Sequence, residues 1–95
     1  MSEQDQEFHQ IRSTIEFGLD TQQFMGTNLG RFMRAKASAQ IEGAHEALAT
    51  VDPEDPKAIR KLQNDVAVAS LFLHWIGEIV TEGENAERQA MDADN

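Results

Sequence analysis

The run VAVASLFLHWIGEIV, residues 66–80, decides how this chain folds, because eleven of its fifteen residues are apolar. Two apolar stripes pass through it at helical spacing. The first is a heptad seam, spaced alternately by three and four residues, that can pack on a neighbouring helix. The seam consists of Ile59, Leu62, Val66, Ala69, Leu73, Ile76 and Val80. The second stripe consists of Val68, Phe72, Trp75 and Ile79, with Leu71 beside it.

Helical signals extend over the rest of the chain, and no strand-like alternation of apolar and polar residues is found. We interpret Gly18 as a helix stop, Asp20 and Thr27 or Asn28 as N-caps, and Asp55–Pro56 as the start of the last helix. We predict a single domain, 1–95. Its segments are an N-terminal helix or arm (1–19), a short helical turn and first long helix (20–51), a turn (52–56), a second long helix (56–84) and an acidic tail (85–95). The tail is expected to be mobile past about Ala90.

The first long helix, from about Leu29 to Thr50, has its own apolar stripe that matches the heptad seam. That stripe consists of Met33, Ala37, Ile41, Ala44, Leu48 and Val51, with Leu29 and Phe32 widening its start. The pairing predicts an all-α fold, an antiparallel helical hairpin with a short N-terminal helix laid against it.

Such a hairpin leaves the second stripe without a partner, since a helix that is apolar on most sides is expected to be buried on most sides. Either apolar residues of the N-terminal segment fold over it, or a second subunit does. We predict the second arrangement, a homo-oligomeric helical bundle. The predicted oligomer interface is Val68, Leu71, Phe72, Trp75 and Ile79.

The composition narrows the classes of function. The net charge is −9, which argues against direct binding of nucleic acid. The chain has no cysteine, hence no disulfide, and its polar start, MSEQDQEFHQ, has no signal-peptide pattern. The apolar run is shorter than the roughly 20 residues needed to cross a bilayer. We therefore expect no membrane association and a cytoplasmic location.

Two residue patterns invite a chemical interpretation. Ser70, His74 and Glu78 lie on one helical strip, but parallel side chains on one helix do not form a catalytic triad. Glu42 and His45 have the Glu-x-x-His spacing of di-iron bundle proteins, and His74 with Glu78 has the spacing of a metal-binding pair. We assign no catalytic, cofactor-binding or metal-binding residue and no cofactor, and leave both metal pairs as open alternatives.

The segments EFGLD (16–20), NLGRFM (28–33) and VDPEDPKAIRKLQND (51–65) occur in an order that resembles small uncharacterised all-helical proteins of tailed bacteriophages. The similarity extends from about Glu16 to Ala86 and concerns caps, turns and core positions. It implies a phage or prophage setting and a role in protein–protein interaction. In that setting the protein would act in the cytoplasm of the host cell or in the virion.

Three functions follow as hypotheses. The first is a non-enzymatic, homo-oligomeric interaction module, a phage accessory or virion-assembly component, whose partner is itself and, beyond itself, another phage or host protein. The second is an acidic phage inhibitor of a host factor, of the anti-defence or DNA-mimic type. The third is a metal-dependent helical enzyme that uses Glu42, His45 or His74.

Overall fold

The computed structural model describes residues 3–93, which form three α-helices: α1 (Glu3–Met25), α2 (Asn28–Thr50) and α3 (Pro56–Ala93). No strand occurs within this range. The all-α class predicted from the helical spacing of the apolar residues is confirmed.

Helix α3 is the long axis of the molecule. Its 38 residues correspond to about 57 Å of helix, and the molecule measures 60 × 29 × 21 Å. The other two helices lie one after the other along it. The side-chain amide of Gln40 in α2 donates to the main-chain oxygen of Asp65 in the first half of α3 (2.8 Å), and that of Gln22 in α1 donates to Glu84 in the second half (3.4 Å).

The N-terminal helix is longer than the sequence predicted. We expected Gly18 to end it and a separate helical turn to follow from Asp20, but α1 continues without interruption from Glu3 to Met25. The second long helix was predicted over 56–84, with an end at Gly83 or a frayed continuation to Met91, and α3 continues to Ala93. The predicted tail, 85–95, is therefore helical up to Ala93, and its last two residues lie outside the described range.

Gly18, which we predicted to be a helix stop, and Gly83 together form a close helix–helix contact. No described glycine has a positive φ, so neither Gly18 nor Gly83 adopts the backbone of a helix stop. A Cβ atom on Gly83 would lie 2.9 Å from Cα of Gly18 and 3.2 Å from the carbonyl oxygen of Thr14. The backbones of α1 and α3 therefore cross at a distance that only glycine allows, as at other contacts built from small residues.

We expect Gly83→Ala to lower the free energy of unfolding by about 1–3 kcal/mol, because the added methyl group meets backbone atoms that cannot rotate away. The control is Gly77→Ala in the same helix, where a Cβ meets no other atom within 4 Å. Replacing an exposed helical glycine should stabilise the helix by about 0.5–1 kcal/mol. Denaturant titration followed by circular dichroism measures both variants, and equal stabilities would refute the close contact.

The joint between α1 and α2 is two residues long. The main-chain NH of Gly26 donates to Gln22 O (3.2 Å) and ends α1. Thr27 is the N-cap of α2, since its side-chain oxygen accepts from Gly30 N (3.1 Å). The N-cap predicted at Thr27 or Asn28 is thus confirmed at Thr27.

The turn before α3 also follows the sequence signal. The main-chain NH of Ala58 donates to the carboxylate of Asp55 (3.2 Å), and α3 begins at Pro56. Asp at the N-cap followed by proline is the predicted helix start, and it is confirmed. Asp52 accepts in turn from the main-chain NH of Glu54 (3.0 Å), which fixes the preceding turn.

Asp55→Ala should therefore lower the free energy of unfolding by about 1 kcal/mol, the usual cost of losing an N-cap. Asp55→Asn retains an oxygen acceptor at the same position and should restore most of that loss. Urea midpoints of the three proteins check this pair, and an Ala variant as stable as the parent would contradict the capping role.

The interior of the three-helix unit contains only small residues. Among residues 3–93 no large side chain is fully buried. The buried positions are Gly18, Gly30, Ala37, Ala44, Ala69, Gly83 and Ala86. The helices touch closely along their lines of contact but enclose no hydrophobic core of the usual kind.

Candidate interaction face

The second stripe of α3 lies open to solvent. The exposed fractions are 57% for Val68, 45% for Leu71, 55% for Trp75 and 36% for Ile79, and Phe72 is half-buried. The seam on the same helix contrasts with it, since every seam residue is at least partly buried. The structure therefore places all five residues of the predicted interface along one largely exposed line of the central helix.

The Gln40–Asp65 hydrogen bond shows which edges of α2 and α3 adjoin. On α3, Val68 and Phe72 follow Asp65 by three and seven residues and so share its side of the helix. On α2, Leu29 precedes Gln40 by eleven residues, three helical turns, and so shares its side. The start of α2 therefore lies on the same side of the molecule as the second stripe.

The positions of Leu29 and Phe32 differ from the sequence prediction for α2. They were assigned to the stripe that packs on α3, but they are 59% and 62% exposed. Met33 and Ala37, in contrast, are partly and fully buried. A helical wheel separates the two pairs, because Leu29 and Phe32 precede the buried line by one residue and fall to its side.

Helix α1 extends the exposed surface and does not cover it. Phe17 is 63% exposed and, with Thr14 and Thr21, lines a shallow groove whose other wall includes Ile79 and Glu82. Trp75 is still 55% exposed, so the N-terminal segment does not close over the centre of the stripe. We call the combined surface the apolar face; it consists of Phe17, Leu29, Phe32, Val68, Leu71, Phe72, Trp75 and Ile79.

The accessible surface of the chain is larger than a folded monomer of its mass requires. It is 7549 Å² for 10.6 kDa, whereas the usual scaling gives about 5,500 Å². The radius of gyration is 19.1 Å, against about 12 Å for a compact domain of this length. The difference, roughly 2,000 Å², is of the size that one subunit of a permanent homodimer buries.

Charge is divided unevenly along the molecule. Helix α1 and residues 76–93 of α3 together carry ten acidic and two basic side chains, a net charge of −8. Residues 28–75 carry six of each and are neutral. Since α1 lies against the second half of α3, one end of the molecule is strongly acidic and the other is balanced. Sequence reasoning located the acidic termini but not their assembly on two packed helices.

The residues considered for catalysis or metal binding lie on exposed helix surfaces. Ser70, His74 and Glu78 are all exposed, and the His74 ring contacts the Glu78 carboxylate at 3.5 Å in an ordinary surface pair. Glu42 and His45 are exposed on α2. Within residues 3–93 there is no group of three or more histidine, cysteine, aspartate or glutamate residues that could hold a metal ion.

Helix Pro56–Ala93 is long and apolar enough, by length and composition, to cross a membrane. Only 11% of its most apolar 18-residue window is buried within the chain. The same property suits a helix that is buried between subunits, since both situations require apolar residues on several sides.

Comparison with known proteins adds no relative: the chain matches no family model, no curated protein and no solved structure.

Proposed function

We propose that this protein is a non-enzymatic interaction module, a helical hairpin of α2 and α3 with α1 against it, that assembles with copies of itself through the apolar face. The observation that carries the proposal is the size of the uncovered apolar surface. The fully buried residues of the described chain are all glycine or alanine, while Trp75, Phe17 and Phe32 are each more than half exposed. Monomeric proteins seldom leave many large apolar side chains exposed on one side.

Association would supply the core that the single chain lacks. The accessible surface in excess of a compact monomer, roughly 2,000 Å² per chain, is what an obligate homodimer removes from water. Burying apolar surface contributes about 25 cal/mol per Å², so covering the apolar face would favour association, against the entropy lost when two chains combine. A homo-oligomeric bundle is thus the simplest stable form of this chain.

The setting of the module rests on the resemblance to small helical proteins of tailed bacteriophages. Within the proposal, the protein is an accessory or virion-assembly component that acts in the cytoplasm of the host or in the particle. Probing purified particles for the chain separates these two locations.

Trp75 provides the experiment, because it is the single tryptophan of the chain and lies at the centre of the apolar face. In the oligomer its indole should show the blue-shifted emission of a buried ring and resist quenching by acrylamide. In an isolated chain it is more than half exposed. A red-shifted, freely quenched emission up to the highest attainable concentration would contradict the proposal.

The acidic end favours one second candidate, an inhibitor that presents its carboxylates to a basic host factor. The structure sets net charge −8 on two packed helices, as a mimic of a charged polymer requires. Capture of a nucleic-acid-binding protein by the parent, and its loss with Glu82→Gln/Glu87→Gln, would support this function. Equal capture by both would contradict it.

A further inference from the structure

We infer that the partner of the apolar face is a single second copy of this chain, related by a two-fold axis near the middle of α3, with the two α3 helices antiparallel. The inference rests on the proposed self-association and specifies its geometry. Two independent features lead to it: the position of the second stripe along α3 and the division of charge between the two ends.

The second stripe is centred on its helix. It runs from Val68 to Ile79, and the midpoint of α3 lies between His74 and Trp75. A two-fold axis through this region pairs the early part of the stripe in one copy with the late part in the other. Because an isologous interface uses the same surface on both subunits, a centred stripe allows antiparallel copies to overlap along their whole 60 Å length.

The distribution of charge favours one of the two possible relative orientations of the α3 helices, parallel or antiparallel. A parallel pair would set two ends of net charge −8 side by side, within or near the Debye length of about 8–10 Å. An antiparallel pair sets each acidic end against the neutral region of the other copy, residues 28–75. That region carries six basic and six acidic side chains, so it adds no net negative charge opposite the acidic end. The antiparallel arrangement therefore relieves the repulsion between the two acidic ends.

The excess accessible surface of each chain is compatible with a dimer. The excess of roughly 2,000 Å² per chain corresponds to an interface of about 4,000 Å² in total, within the range of permanent homodimers. The exposed residues at the start of α2, Leu29 and Phe32, and Phe17 of α1 flank the stripe on α3. Each copy would thus use all three of its helices to cover the stripe of the other.

Spin-label distances test this arrangement, because the chain has no cysteine and a single introduced cysteine gives one label per subunit. Lys57→Cys and Gln89→Cys place labels near the two ends of α3, at exposed positions beyond either end of the second stripe. At 1.5 Å per residue, antiparallel copies centred on the α3 midpoint separate the pairs by about 52 Å and about 43 Å respectively.

In a parallel dimer both distances fall to about one or two helix spacings of 8–10 Å each. Two long distances support the inference. Two short distances, or a mass of three or more subunits, overturn it while leaving self-association intact. A monomeric mass with no label–label distance overturns both the inference and the proposed function.

Discussion

Gly30→Ala is expected to destabilise the chain more than any other single methyl addition to a described glycine, by about 3 kcal/mol or more. A Cβ on Gly30 would lie 2.0 Å from the carbonyl oxygen of Phe24 and 2.7 Å from Cα of Met25. Both atoms belong to the last turn of α1, so no side-chain rotation can relieve the overlap. The end of α1 and the start of α2 would have to separate.

The control for this variant is Gly43→Ala in the same helix. Gly43 is exposed, and a Cβ there meets no other atom within 4 Å. The substitution should stabilise α2 by about 0.5–1 kcal/mol, the difference in helix propensity between glycine and alanine. Thermal unfolding followed by circular dichroism compares the two, and a Gly30 variant that melts with the parent would show that α1 and α2 are joined differently.

Replacing Phe72 and Trp75 together by polar residues, as in Phe72→Asn/Trp75→Gln, is expected to dissociate the assembly into monomers. Phe72 and Trp75 occur once in each copy, so the double substitution removes four large apolar side chains from a two-fold interface. At about 1.5–3 kcal/mol for a fully buried large side chain, a loss of about 4 kcal/mol or more follows, roughly a thousandfold in Kd. Sedimentation velocity measures the resulting mass.

Met91→Gln is the matched control. Met91 is as exposed as the residues of the apolar face, at 63%, but it follows Trp75 by sixteen residues and so lies on the opposite side of α3. Its replacement should leave the mass unchanged. If the Phe72/Trp75 variant keeps its helicity, solubility and oligomeric mass, the interface lies elsewhere on the chain.

Local signals in the sequence predicted the helical skeleton because their physical cause is local. Thr27 and Asp55 cap helices by accepting a bond from an NH three residues on, and those bonds are present. Gly18 misled the prediction, since a glycine that ends a helix and glycines that permit a close crossing, as Gly18 and Gly83 do, look alike in a single sequence. Only the distance between their backbones, under 3.1 Å for an added Cβ, distinguishes the two roles.

The candidate site was predicted in part. The stripe through Phe72 and Trp75 follows from helical spacing, and the structure shows it uncovered, but spacing alone could not tell whether Phe17 or Phe24 would close over it. That depends on where α1 docks, which the contact between Gly18 and Gly83 determines. Apolar surface also carries little information about its partner, because the hydrophobic effect is non-directional. In the proposed dimer the distribution of charge sets the direction of the partner, and that distribution depends on the packing of α1 against the second half of α3.

Light scattering coupled to size-exclusion chromatography, over a wide range of protein concentration, tests self-association through the apolar face most directly. We predict one species at twice the 10.6 kDa chain mass, and its replacement by the monomer in the Phe72/Trp75 variant. A parent chain that elutes and scatters as a 10.6 kDa monomer at every concentration would contradict the proposal.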